Sequence, residues 1–144
     1  MHSKVLMGTC GSDVHSVANF LIEKCLIDAG IEVRNLGVSV PDSEWLEELD
    51  AFAPDLLLVG SMNGDLQPLV ELIGKVSSAG FQKNHILVGG KLRLGSEGDS
   101  LAPFLNALGV HVLDSENPTF EFLLDKVEGI IRNNTKPLTV QFAN

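Results

Sequence analysis

Val5-Leu6-Met7-Gly8-Thr9-Cys10-Gly11-Ser12-Asp13-Val14-His15-Ser16-Val17-Ala18-Asn19 passes from an apolar run, through a short polar loop, into a helical pattern. A first strand therefore stops, and a first helix begins, around Asp13 and His15. In an open parallel sheet this is the carboxyl edge, where ligands bind. Two readings compete for the Asp13 carboxylate. It caps the helix by accepting orphan amides of the first turn, or it accepts the Nδ1 proton of His15 and leaves Nε2 free for a metal. Taken without its neighbours, His15 also reads as a solvated loop residue.

Outward from this stretch, strand-like and helix-like periods alternate five times. Lys4 to Thr9 is the first strand. Ser16 to Ala29 places Val17, Phe20, Leu21, Cys25 and Leu26 at the spacing of a helix with one buried face, and Gly30 closes it. Ile31 to Val38 is a second strand. Pro41-Asp42-Ser43-Glu44 opens a helix with Trp45, Leu46 and Leu49 inward. Asp55 to Gly60 is apolar throughout, as expected of a strand covered on both faces. After the loop Ser61-Met62-Asn63-Gly64-Asp65, Pro68 starts a helix that runs to Ala79 and closes with Gly80. His85 to Val88 is a fourth strand ending in Gly89-Gly90. A helix from about Ser100 to Leu108, a strand from Val110 to Leu113 and a helix from Pro118 to about Ile131 complete the pattern. Five strands, each followed by a helix across short connections, predict an α/β fold with a parallel sheet. Right-handed crossovers and this size favour the flavodoxin-like order 2-1-3-4-5, with helices on both faces. One domain spans 1–132, followed by a tail, 133–144, in which Val140-Gln141-Phe142 reads as a short strand, a partner contact or a disordered stretch.

The 144 residues are 44% hydrophobic and 20% charged, a globular composition. The net charge of −9, from 10 basic and 19 acidic residues, argues against nucleic acid or an anionic membrane as the main partner. No apolar run nears the roughly 20 residues of a bilayer span. Met1-His2-Ser3-Lys4 has no leader pattern, so a cytoplasmic location is expected. Cys10 and Cys25 make neither a disulfide framework nor a CxxC. Cys10 reads as the end of a buried strand and Cys25 as a helix core position.

In this topology the loops after strands one, three and four meet at one edge. They carry Asp13 and His15, then Ser61 and Met62, then Gly89 and Gly90; this convergence outweighs any one of them. Ser61 reads equally as a cap or turn residue, and Met62 as packing. Gly89-Gly90 reads as a positive-φ turn, or as two side chains removed to admit a bulky flat ligand. The third strand ends in Val59-Gly60-Ser61 without the aspartate a phosphate-accepting receiver domain needs. Thr9, Gly11 and Ser12 make only a faint flavin phosphate loop, and Asp13 would repel the phosphate. GxGxxG, P-loop and HExxH patterns are absent.

Gly11 to Asn19 resembles the D-x-H-x-x-G signature of cobalamin-binding domains. Counterparts of the family's S-x-L and G-G elements follow in order at Gly60-Ser61-Met62 and Gly89-Gly90. The closest likeness is to the small-subunit family of glutamate mutase (methylaspartate mutase). It extends to Asn35-Leu36-Gly37-Val38 and Val88-Gly89-Gly90-Lys91-Leu92-Arg93-Leu94-Gly95, and covers about Lys4 to Arg132. Ala18 stands where the signature has glycine, and Gly60 where the second element has serine.

The resemblance implies that His15 is the lower axial ligand of cobalt in adenosylcobalamin, with Asp13 hydrogen-bonded to it. It implies a nucleotide-tail slot beside the first helix and a cofactor-binding set of Ser12, Asp13, Val14, His15, Ser16, Ala18, Gly60, Ser61, Met62, Gly89 and Gly90. It further implies a carbon-skeleton radical rearrangement of the L-glutamate to 3-methylaspartate type, with substrate held in a larger, barrel-type subunit. Corrinoid methyltransferase proteins carry a helical domain ahead of the sheet; here the first strand starts near residue 4, so a separate partner is expected over the corrin. The alternative is a non-catalytic cobalamin carrier, sensor or regulatory module with an altered tail slot.

Overall fold

The computed structural model describes residues 3–11, 16–61, 66–89, 102–113 and 119–134. Five strands, β1 (Lys4–Thr9), β2 (Glu32–Asn35), β3 (Leu56–Gly60), β4 (Ile86–Gly89) and β5 (His111–Leu113), alternate with α1 (Ser16–Asp28), α2 (Asp42–Phe52), α3 (Leu66–Ser78), α4 (Ala102–Ala107) and α5 (Phe120–Asn134). All four strand pairings are parallel, in the order β2-β1-β3-β4-β5. This is the expected doubly wound arrangement.

Period-two alternation divides the sheet residues between two cores. Leu6, Leu57, Val59, Ile86 and Val88 pack against Trp45 and Phe52 of α2, Leu69, Leu72, Ile73 and Val76 of α3, and Leu105 of α4. Val5, Met7, Leu56, Leu58 and Leu87 face the other way, against Leu26 of α1 and Leu123, Val127, Ile130 and Ile131 of α5. Strands buried on both faces read as unbroken apolar runs. Gly8 interrupts β1 because Trp45 lies over it: a Cβ there would come within 3.1 Å of the indole Cζ2 and of Val40 Cγ2.

Several expected boundaries move. The second strand is Glu32–Asn35 rather than Ile31 to Val38. The chain leaves the sheet early because the Asn35 side chain accepts the Gly37 amide at 2.9 Å, in an Asx-type turn with Gly37 at φ +96°. His85 belongs to a 3-10 turn (Lys83–His85) ahead of β4. The third helix starts at Leu66, which puts Pro68 inside its first turn, where proline is tolerated. The last helix starts at Phe120, where Thr119 Oγ1 accepts the Phe122 amide at 3.1 Å, and runs to Asn134, two residues past the expected domain end. Val140-Gln141-Phe142, and Ser100 at the expected start of the fourth helix, lie outside the described residues.

The largest departure is in α1. Val17, Phe20 and Leu21, expected inward, are 73%, 60% and 43% exposed, and Ile27 is 50% exposed. The inward stripe is Asn19, Ile22 and Leu26. Cys25, expected in the core, is only half-buried, with Sγ 3.9 Å from the Phe120 carbonyl. Among the described residues, no helix is long and apolar enough to cross a membrane.

Candidate functional site

The carboxyl ends of the central strands lie side by side. Thr9 pairs with Gly60, Gly60 with Gly89, and Gly89 with Leu113. The ladder continues one step past the strands, with the Cys10 amide donating to Gly60 O at 3.1 Å and the Ser61 amide to Gly89 O at 2.9 Å. Of the expected site residues, Gly60, Ser61 and Gly89 are thereby brought together, and Ser61 is buried. Ser12, Asp13, Val14, His15, Met62 and Gly90 lie outside the described residues, as does the Ser16 side chain; the Ser16 backbone opens α1. Residues 12–15 connect Gly11, at this edge, to the start of α1.

The glycines divide in role. Gly89 is an extended strand residue, without the positive φ that the turn reading of Gly89-Gly90 would ask of it. A Cβ there would meet only Leu113 Cβ, at 3.9 Å. At Gly60 a Cβ would come within 3.1 Å of Thr9 Cγ2, so the threonine methyl fills the space a serine would need. Ala18 is exposed, and the inward residue beside it is Asn19.

Asn19 is an inward residue that periodicity alone missed, and it is hydrogen-bonded to Asn35 and Gly37. Asn35 Nδ2 donates to Asn19 Oδ1 at 2.6 Å and to Glu23 Oε1 at 3.2 Å. Asn19 Nδ2 reaches Gly37 O at 3.5 Å, and that carbonyl also accepts the Thr9 amide at 3.0 Å. Ser39 donates its amide to Thr9 Oγ1 at 2.9 Å and its hydroxyl to Gly11 O at 2.6 Å. The available signal was an asparagine set three residues before Ile22 and seven before Leu26, on one helical stripe.

Elsewhere the structure holds little chemistry. Burial, then the Asp28 charge, raises the Cys25 thiol above its ordinary range, unlike a nucleophile. An open cleft of about 450 Å³, on the α2–α3 side, is lined by Gly11, Ser39, Asp42, Pro68 and Glu71 among others. Two carboxylates in that lining disfavour a phosphate. Among the described residues, no group of three or more His, Cys, Asp or Glu side chains is placed to hold a metal ion.

Comparison with known proteins adds to this geometry. The family described as "B12 binding domain" matches residues 3–98. The glutamate mutase sigma subunit of Treponema denticola is 31% identical over 121 residues, 80% of this chain and 85% of that one. Among solved structures, the methanol:cobalamin methyltransferase complex MtaBC of Methanosarcina barkeri aligns with a TM-score of 0.69 at 18% identity. The alignment takes in 90% of this chain and 46% of that one, so this chain spans about half its length. The signal receiver domain of a diguanylate cyclase from Desulfovibrio desulfuricans aligns with a TM-score of 0.65 at 16% identity, over 94% of this chain and 98% of that one. Both structural likenesses concern the fold alone.

Proposed function

The chain belongs to the B12-binding domain family and is related to the glutamate mutase sigma subunits, and from this premise we propose that it is the cobalamin-carrying small component of an adenosylcobalamin-dependent mutase. In this reading His15 would hold the cobalt of the cofactor through one ring nitrogen. Asp13 would accept a hydrogen bond from the other, which would fix the tautomer and raise the basicity of the ligand.

The observation that carries the reading is the carboxyl edge. Adjacent strands end on Gly60 and Gly89, with buried Ser61 beside them, and Gly11, the last described residue before Asp13 and His15 in the chain, follows the end of β1 at the same edge. Two strand ends without side chains suit a broad flat group: among the described residues a Cβ at Gly89 would meet only Leu113 Cβ, at 3.9 Å.

When bound, adenosylcobalamin supplies a cobalt–carbon bond whose homolysis starts radical rearrangement of the L-glutamate to 3-methylaspartate type. This chain would bind and orient the group, while a larger, barrel-type subunit would supply the substrate site. Visible spectra test the assignment. Hydroxocobalamin mixed with the protein should show a binding-linked shift that His15→Gly abolishes. A spectrum indifferent to His15, with and without a larger mutase subunit, would refute the axial-ligand role.

A further inference from the structure

We infer that Asn19, Asn35 and Glu23 form a polar clamp that positions the His15 segment, in place of the apolar packing that fixes the other helices. The inference rests on the cobalamin reading for its purpose and on the hydrogen bonds for its existence.

The N-terminal half of α1 has almost nothing apolar to hold it. Val17, Phe20 and Leu21 are exposed, and the first fully buried apolar residue of the helix is Leu26. Asn19, by contrast, is 8% exposed. Its carboxamide oxygen accepts from Asn35, and its nitrogen faces the Gly37 carbonyl, which also accepts the amide that ends β1. Asn35 has one workable orientation. Its oxygen must meet the Gly37 amide, which leaves two N–H groups for Asn19 and Glu23. The second turn of α1, the end of β1 and the turn after β2 are thus tied at one point. Ser39 ties Gly11 on the other side of the loop.

The described residues on either side of 12–15, Gly11 before it and Asn19 in α1 after it, are therefore held by directional bonds. Hydrogen bonds specify position sharply, whereas apolar contact tolerates sliding. An axial ligand must be held within a few tenths of an ångström, about 0.5 Å. A helix free to shift on its sheet would carry His15 with it. Asn19, Asn35 and Glu23 are positioning residues; they act through the loop.

The experiment measures amide hydrogen exchange of the free protein alongside hydroxocobalamin affinity from visible titration. Asn19→Ala removes the inward amide. Asn35→Asp keeps the acceptor for Gly37 but places a second carboxylate against Glu23. Both variants should speed exchange over residues 20–25 about tenfold, the scale of one buried hydrogen bond. Exchange in β3 and β4 should stay unchanged, and hydroxocobalamin affinity should fall about tenfold. Adding Glu23→Gln to Asn35→Asp should recover most of both, because the glutamine donates to the new carboxylate. Unchanged exchange over 20–25 in both variants overturns the clamp. So does faster exchange with unchanged affinity and an unaltered His15-dependent spectrum. Lack of any His15-dependent spectrum in the unmodified protein defeats the cofactor reading instead, and exchange then decides whether the clamp exists.

Discussion

Helices α1 and α3 are each 13 residues long, and each follows a central strand of the same sheet. They are held in opposite ways. In α3, Leu69, Leu72, Ile73 and Val76 recur at intervals of three and four and are all buried against β1, β3 and β4. In α1, apolar residues lie all around the helix, and the early part of the inward stripe belongs to Asn19. Apolar burial makes α3 part of the scaffold. Hydrogen bonds at Asn19 fix the early part of α1. The apolar outer face of α1, with Phe120 and Phe122 exposed on α5, is a surface unlike that of α3.

The sharpest way to break this comparison is a pair of truncations. Leu72→Ala, at a residue 1% exposed, should cost about 2–5 kcal/mol, because a cavity opens that the sheet cannot close. Phe20→Ala on α1 should cost about 0.5 kcal/mol or less. Urea unfolding followed by Trp45 fluorescence reads both, since Trp45 is the single tryptophan and is fully buried in the α2–α3 core. Equal costs would mean that α1 is packed as tightly as α3.

A second test concerns the strand ends where the two helices meet the site. Gly60→Ser should cost about 1–3 kcal/mol, since its Cβ would crowd Thr9 Cγ2. Thr9→Ser in the same chain removes that methyl and keeps the oxygen that accepts the Ser39 amide. It should recover most of the loss in a double-mutant cycle. Additive costs would show that the two side chains do not share the space.

The smallest expected effect lies at the opposite, amino edge. His85 and His111 are each held below the ordinary imidazole value, chiefly by burial. Asp55 opposes this at His85, and His111 adds to it; at His111, Lys126 adds to it and the Asn84 backbone bond opposes it. Among the described residues, the buried His85 Nε2 has no hydrogen-bond partner. Because the folded state favours neutral imidazole, this stabilisation is complete above about pH 6.5 and is lost as pH falls below it. Melting temperature should therefore drop from pH 7.5 to pH 5.5, and His85→Gln should flatten the drop. A variant with the parent's full pH slope would remove His85 from the account.

Strand order and the two-sided burial of β1, β3 and β4 were legible in the sequence, because unbroken apolar runs such as Leu56-Leu57-Leu58-Val59 have few other uses. The convergence of Gly60, Ser61 and Gly89 followed from topology, which sends successive strand ends to one edge. The inward face of α1 was not legible. Its apolar residues satisfy more than one helical stripe, so periodicity could not choose among them, and Asn19 draws its value from Asn35 and Gly37, remote in sequence.

The sequence by itself determined the α/β class and the sheet order. Local patterns carry those features, since burial imposes periods of two and of 3.6 residues on the chain. Only the tertiary structure decided which face of α1 turns inward, why Gly60 is matched to Thr9, and where β2 stops. Each of those depends on contacts between segments far apart in the chain, where one hydrogen bond or one methyl group selects among arrangements that the local pattern leaves equal.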